Sequence, residues 1–333
     1  MPNFKSPNFS GKIFINPIPS VVTKQGAFLK ILRENFFDKN KHLREPKSIL
    51  GPFKANVSLI KNLPNEILRV TWLGHSTILI EIDGKRFLTD PVWSKRVSPF
   101  GFIGPVRFFE PPLSLDDLPP LDGVIISHDH YDHLDASTVK ILAAKGNNFF
   151  CPLGVSKWLK KFGVPASKIN EFDWWDELEL DGGFKIAATP ARHFSGRGIN
   201  DRYKTLWASW ALLGTKNRMY FGADSGMFPG FTDIGNKYGP FDLTALEIGA
   251  AHDDWEDIHM GPHKAADAHL MLRGKLMLPI HWATFNLAHH PWEEPIESLI
   301  PYAAERGIKL VVPEPGETVV ITDEYNTEWW KRY

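Results

Sequence analysis

Residues 127–135 read SHDHYDHLD, and the interpretation of this stretch decides the fold. Three histidines and three aspartates occupy nine positions. They stand where GVIIS (123–127), a short apolar run of the kind that forms a buried strand, comes to an end. In extended chain, residues i and i+2 face the same way, so His128 and His130 can grip one cation. Asp132 and His133 follow where the chain turns towards a helix, ASTVKILAAKG (136–146), and they point to a neighbouring position. The pattern therefore suggests two cations. A merely solvated loop is the bland alternative, but unpaired polar groups beside a buried strand are costly.

Two cations need more ligands, and other strand ends offer them. His193 follows KIAATPA (185–191), Asp224 ends RMYFGAD (218–224), and His281 ends KLMLPIH (275–281). Taken singly, each of these could be an ordinary loop residue. Taken with the first four they make five histidines and two aspartates, a set suited to zinc, with manganese or iron left open. On this reading His128, His130 and His193 hold one ion, Asp132, His133 and His281 hold the other, and Asp224 bridges them.

Composition narrows the alternatives. Lys+Arg number 38 against Asp+Glu 39, a formal charge of −1, which offers no global attraction for nucleic acid. The single cysteine, Cys151, excludes an intrachain disulfide and a cysteine-rich zinc site. Nothing near the N-terminus reads as a signal peptide, since Pro17 and Pro19 break its one apolar run. No apolar run reaches the length of about 18 residues needed to span a bilayer. The expectation is a cytoplasmic protein, with contact at a membrane surface left open.

Residues 1–60 are rich in Lys, Asn, Pro and Phe, and are expected to form an extension packed on a main domain of residues 61–333. Within the extension, QGAFLKILRENFF (25–37) has the spacing of an amphipathic helix, its apolar face formed by Phe28, Leu29, Ile31, Leu32, Phe36 and Phe37. That face either packs on the core, borders a lipid groove or rests on a membrane surface. From residue 66 the pattern is of short strands, then strands alternating with helices, which predicts sheets covered by helices.

Several blocks carry a family resemblance: LGHSTILIEIDG, FLTDPVWS, GPVRF, HDHYDHLD, PLG, DWW, TPARH, WASW, GADSG, GPFDL and IHWATF. Together with the order of the seven ligands they resemble the metallo-β-lactamase fold. Within it they resemble the branch of phospholipases D that hydrolyse N-acylphosphatidylethanolamine, and the related ascorbate-phosphate-lactonase-like hydrolases. The blocks span roughly residues 70–290; both chain ends match less distinctively. The resemblance implies an α/β fold, a four-layer αββα sandwich with the metals in a cleft at one sheet edge. It implies that Asp90, in LTDP, steadies the metal loop from behind, as ligand histidines commonly require. His75, in GHST, either faces the cleft or is a buried structural histidine. His259, in DIHMGP, resembles a histidine beside the metals and would contact phosphate or assist the leaving group; the alternative is a plain loop residue. His252, His263, His289 and His290 are read as surface residues.

The chemistry implied is hydrolysis. Two zinc ions about 3.5–4 Å apart share a water and lower its pKa enough to supply hydroxide. GADSG does not match the nucleophile-elbow pattern, so Asp224 is assigned to metal and Ser225 is not assigned to attack. Asp132, Asp224 and His259 are the residues expected to carry catalysis. The first reading is a phosphodiesterase of phospholipase D type acting on a phospholipid. The second is a lactonase or another hydrolase of a small phosphorylated metabolite, and a more distant third is a metal-binding protein without turnover. Trp93, Phe100, Phe102, Phe108 and Phe109 either line an acyl pocket or belong to the core. A homodimer is left open.

Overall fold

A computed structural model describes residues 4–24 and 41–333. The helix expected at 25–37 lies outside the described residues. Strands β1 (Leu68–Gly74), β2 (Thr77–Ile82), β3 (Lys85–Thr89), β4 (Gly123–Ile125), β5 (Phe149–Pro152) and β6 (Ile169–Phe172) form one sheet in that order. A late strand, β14 (Thr318–Val320), adds to its edge beside β1. The second sheet runs from β7 (Glu177–Leu180) through β8 (Phe184–Thr189), β9 (Ser209–Leu213), β10 (Arg218–Phe221), β11 (Phe241–Glu247), β12 (Gly274–Ile280) and β13 (Lys309–Val312). The two-residue strand β15 (Tyr325–Asn326) closes its far edge.

The alternation of side chains explains the layers. Val70, Ile80, Phe87, Ile125 and Phe150 of the first sheet join one core with Ile186, Trp210, Phe221, Leu243 and Leu278 of the second. Their sequence neighbours Leu79, Leu88, Val124, Phe149 and Cys151 face the other way, into a separate core with Val139, Leu142 and Leu159. Residues one apart on a strand face opposite sides, so both faces of the first sheet must be apolar, as they are. Helices α2 (Ala136–Ala144) and α3 (Ser156–Lys161) supply that outer layer; the short α1 (Val57–Lys61) precedes the first sheet. Helices α4 (Gly230–Tyr238), α5 (Gly261–Met271) and α6 (Glu294–Glu305) cover the second sheet. The result is the expected αββα sandwich.

Parallel runs set where the chemistry gathers. Pairs β3–β4 and β4–β5 are parallel, as are β10–β11, β11–β12 and β12–β13. Loops leaving the carboxyl ends of neighbouring parallel strands open on the same edge. Beyond the ends of β1, β3, β10 and β12, four residues hold a left-handed backbone that non-glycine residues avoid: His75 (φ 53°), Asp90 (33°), Ala223 (49°) and His281 (63°). Such positions cost about 1 kcal/mol or more each and persist only where the surroundings over-determine them. All four are at or next to residues of the site described below.

Two expectations about apolar and histidine residues change. Phe108 and Phe109 are core and Trp93 is half-buried, donating Nε1 to the Leu113 carbonyl, but Phe100 and Phe102 are 55% and 81% exposed. Those two lie outside the core, on the loop closed by the bridge between Arg96 and Val106. Of the four histidines read as surface residues only His263 is exposed, stacked on Tyr302; His252, His289 and His290 are half-buried. His252 and His289 pack around Trp255, an apolar support that local sequence does not reveal. Among the described residues no helix is long and apolar enough to cross a membrane.

Candidate metal centre

All seven expected ligands meet at one sheet edge, at the ends of β4, β8, β10 and β12. In the first group, His130 Nδ1 lies 2.8 Å from His128 Nε2 and 3.3 Å from His193 Nε2. The second brings His133 Nε2 and His281 Nε2 within 3.4 and 3.6 Å of Asp132 Oδ2. Asp224 lies between the groups. Its Oδ2 is 3.1 Å from His133 Nε2, 3.7 Å from His193 Nε2 and 3.9 Å from His128 Nε2, while Oδ1 is 3.2 Å from His281 Nε2.

Hydrogen bonds behind the rings decide which nitrogens face inward. His133 Nδ1 donates to Asp90 Oδ2 at 2.7 Å. The Ser127 hydroxyl gives its one proton to the same carboxylate at 2.5 Å, so it accepts from His128 Nδ1 at 2.9 Å. One buried carboxylate, Asp90, thus orients two imidazoles, with lone pairs on both Nε2 atoms. His193 Nδ1 donates to the Ile258 carbonyl at 2.9 Å, and Asn16 brackets the His193 backbone with two hydrogen bonds, 2.9 and 2.7 Å. His75 is both buried and in the site: its Nε2 lies 3.0 Å from Asp132 Oδ2, and its backbone carbonyl accepts from His281 N.

The donor set fits cations. His133 Nε2, His281 Nε2 and Asp224 Oδ1 are buried atoms without a hydrogen-bond partner, and both imidazole nitrogens lie against the Asp224 carboxylate. Burial would push the Asp132 and Asp224 carboxyls up, but His133 and His281 hold both well below the usual carboxylate range. Burial likewise opposes a proton on His133 and on His281, yet the facing carboxylates raise both, His281 to about 10. Protons here compensate buried negative charge that a divalent ion would compensate instead. His128 and His193 are pushed well below 6.5 by burial and stay neutral, as ligands must.

Sequence reading missed a carboxylate, Glu247, at the end of β11. It is fully buried; Oε2 accepts from His259 Nδ1 at 2.7 Å, and Oε1 accepts from the backbone of Ser225 at 2.9 Å and Met260 at 3.3 Å. Its own signal was weak: one acidic residue ending an apolar strand. His259 lines the cleft, half-buried, its ring centroid 5.1 Å from that of His193. Burial lowers its basicity, but Glu247 outweighs this and raises it. Two of the three aspartates in the opening stretch serve structure. Asp129 accepts from Gly196 N, Trp158 Nε1 and Thr205 Oγ1, and Asp135 caps α2 while holding Trp93 and Ser94. Ser225 is buried, its hydroxyl donating to the Gly226 carbonyl.

The cleft over these ligands is about 270 Å³, walled by Val22, Phe194, Arg202, Trp255, His259 and Leu287. A larger hollow of about 550 Å³, between Lys54, Glu314 and Arg332, holds none of the clustered ligands. The chemistry belongs to the smaller space.

This fold and this ring of imidazoles and carboxylates define the class: a metal-dependent hydrolase of the metallo-β-lactamase fold. The chain belongs to the β-lactamase superfamily, whose domain matches residues 85–282. It is 48% identical over 269 residues to an uncharacterized protein of Mycobacterium tuberculosis strain H37Rv, covering 79% of this chain and 72% of that one. It is 37% identical over 304 residues to N-acyl-phosphatidylethanolamine-hydrolyzing phospholipase D 1 of Caenorhabditis elegans, covering 85% and 84%. The solved structure of a metallo hydrolase from Ignicoccus hospitalis is similar with a TM-score of 0.58 at 25% identity, covering 77% of this chain and 99% of that one.

Proposed function

We propose that the protein is a phosphodiesterase of phospholipase D type, using two divalent ions, zinc first among them, to cleave N-acylphosphatidylethanolamine-like lipids. The observation that carries this is the likeness to the Caenorhabditis elegans phospholipase across 85% of the chain, a stretch long enough to span the converging ligands. His128, His130 and His193 would hold one ion and Asp132, His133 and His281 the other, with Asp224 shared. Bound there, the ions would lower the pKa of water and neutralise charge developing on a phosphoryl oxygen.

The remaining residues have separable tasks. Asp90 and Ser127 keep lone pairs of His128 and His133 aimed inward. Glu247 holds the Nδ1 proton of His259, which leaves Nε2 of that ring for the substrate. With a proton on Nε2, His259 donates to the departing alcohol oxygen, a step worth about 10²–10⁴ in rate. The test is to assay zinc-loaded protein on N-acylated phosphatidylethanolamine and on a sugar-phosphate lactone. Release of phosphatidate from the first supports the proposal; cleavage of the lactone alone rejects it.

A further inference from the structure

Residues 95–107, KRVSPFGFIGPVR, form a tongue whose stem is paired by a bridge between Arg96 and Val106 and by hydrogen bonds from Val97 N to Pro105 O and Arg107 N to Lys95 O. Its tip carries Phe100, Phe102 and Ile103, which are 55%, 81% and 57% exposed. The two rings meet each other at 5.7 Å between centroids. Large apolar side chains this exposed, side by side on one tip, mark an interaction surface. The stem is anchored: Arg107 is buried, donates to the Val92 and Phe109 carbonyls and lies over the Phe109 and Phe285 rings.

The stem of the tongue packs against a wall of the metal cleft. Val97 packs with Val92, Phe285, Tyr131 and Leu287, and Leu287 is also a cleft wall. A second tip rises beside it. Phe194 and Arg202 both line the cleft, and the loop between them carries Ile199, 99% exposed. That loop is tied to Tyr131, whose hydroxyl donates to the Arg197 carbonyl beneath the Arg197 guanidinium. Val21, 52% exposed, adjoins Val22 on a third wall.

We infer that these tips form a docking surface for an anionic phospholipid bilayer, which places the cleft mouth on the lipid headgroups. The inference rests on the phospholipid reading of the site. Charge favours it: Lys95 is exposed on a segment, 95–107, that carries no acidic residue, and the exposed Arg202, three residues after Ile199, lines the cleft. Size favours it too. A 270 Å³ cleft has room for a phosphate and its neighbours but not for acyl chains, so the tails remain outside, in the bilayer that the tips enter. A second copy of this chain is a poorer occupant, because covering the loop between the cleft residues Phe194 and Arg202 would close the cleft.

The test is flotation of the zinc-loaded full chain with vesicles of phosphatidylcholine alone or with phosphatidylglycerol added. Binding is expected to be stronger on the phosphatidylglycerol vesicles. Phe102→Ser with Ile103→Asn, and separately Ile199→Ser, are expected to weaken it about tenfold or more, with hydrolysis of soluble bis(p-nitrophenyl) phosphate unchanged. Wild-type protein that does not float, or variants that float equally well, overturn the inference. So does a wild-type dimer that these substitutions convert to monomer in sedimentation equilibrium. Vesicle binding without phosphatidate release would leave the surface standing and reject the substrate reading.

Discussion

At the scale of single residues, one carboxylate reaches both ligand groups. Asp224 lies within 3.9 Å of imidazoles from each, and its Oδ1 has no other buried partner. Asp224→Ala is therefore expected to lower bound metal from about two ions per chain to below one, read by elemental analysis of purified protein. An unchanged metal content would mean that each triad binds alone. Glu247 acts through His259, whose Nδ1 it holds. Glu247→Gln keeps the shape but loses the charge that holds His259, so kcat is expected to fall about 10–100-fold at unchanged metal content. A structural role alone would alter thermal stability and leave the pH–rate profile in place; loss of the His259 proton would flatten its alkaline limb.

Between elements, α5 packs on β11 and β12 through a buried histidine. His269 is 1% exposed, its Nδ1 lies 2.8 Å from the Thr244 hydroxyl, and a Cβ on Gly274 would come within 2.4 Å of it. Burial lowers its pKa from 6.5 to about 4. The folded state then binds fewer protons than the unfolded state between these values, so stability is full above pH 6.5 and lost as pH falls towards 4. The loss from this one group is at most about 3 kcal/mol. Denaturant titrations of metal-loaded protein at pH 7.5 and 5 check it: His269→Gln should show a shallower pH dependence than wild type, and equal slopes would remove His269 as the cause.

For the whole molecule, cations held by the clustered histidines and aspartates would tie the two sheets together at one edge, since those residues come from loops of both. Stripping them leaves buried carboxylates facing protonated His133 and His281, and chelation is expected to lower the unfolding temperature by roughly 5–10 °C. Calorimetry of loaded and stripped protein tests this; coincident transitions would show that the ions do not link the halves. Much of this architecture was readable from local pattern. Alternating apolar runs announced the strands because side-chain direction repeats every two residues, and HDHYDHLD announced a metal loop because its spacing presents His128 and His130 together. His193, Asp224 and His281 were legible only as polar residues ending apolar strands. Their convergence, the orienting role of Asp90, the Glu247–His259 pair and the grip of Asn16 on the His193 backbone join residues up to 177 positions apart. Such contacts depend on which strands become neighbours, as when β14 returns to pair with β1, and on which loops then share an edge. The chain by itself determined the elements and the kind of chemistry, because both follow from short-range geometry; only the packed sheets decided which side chains meet, because distance through space is set by topology.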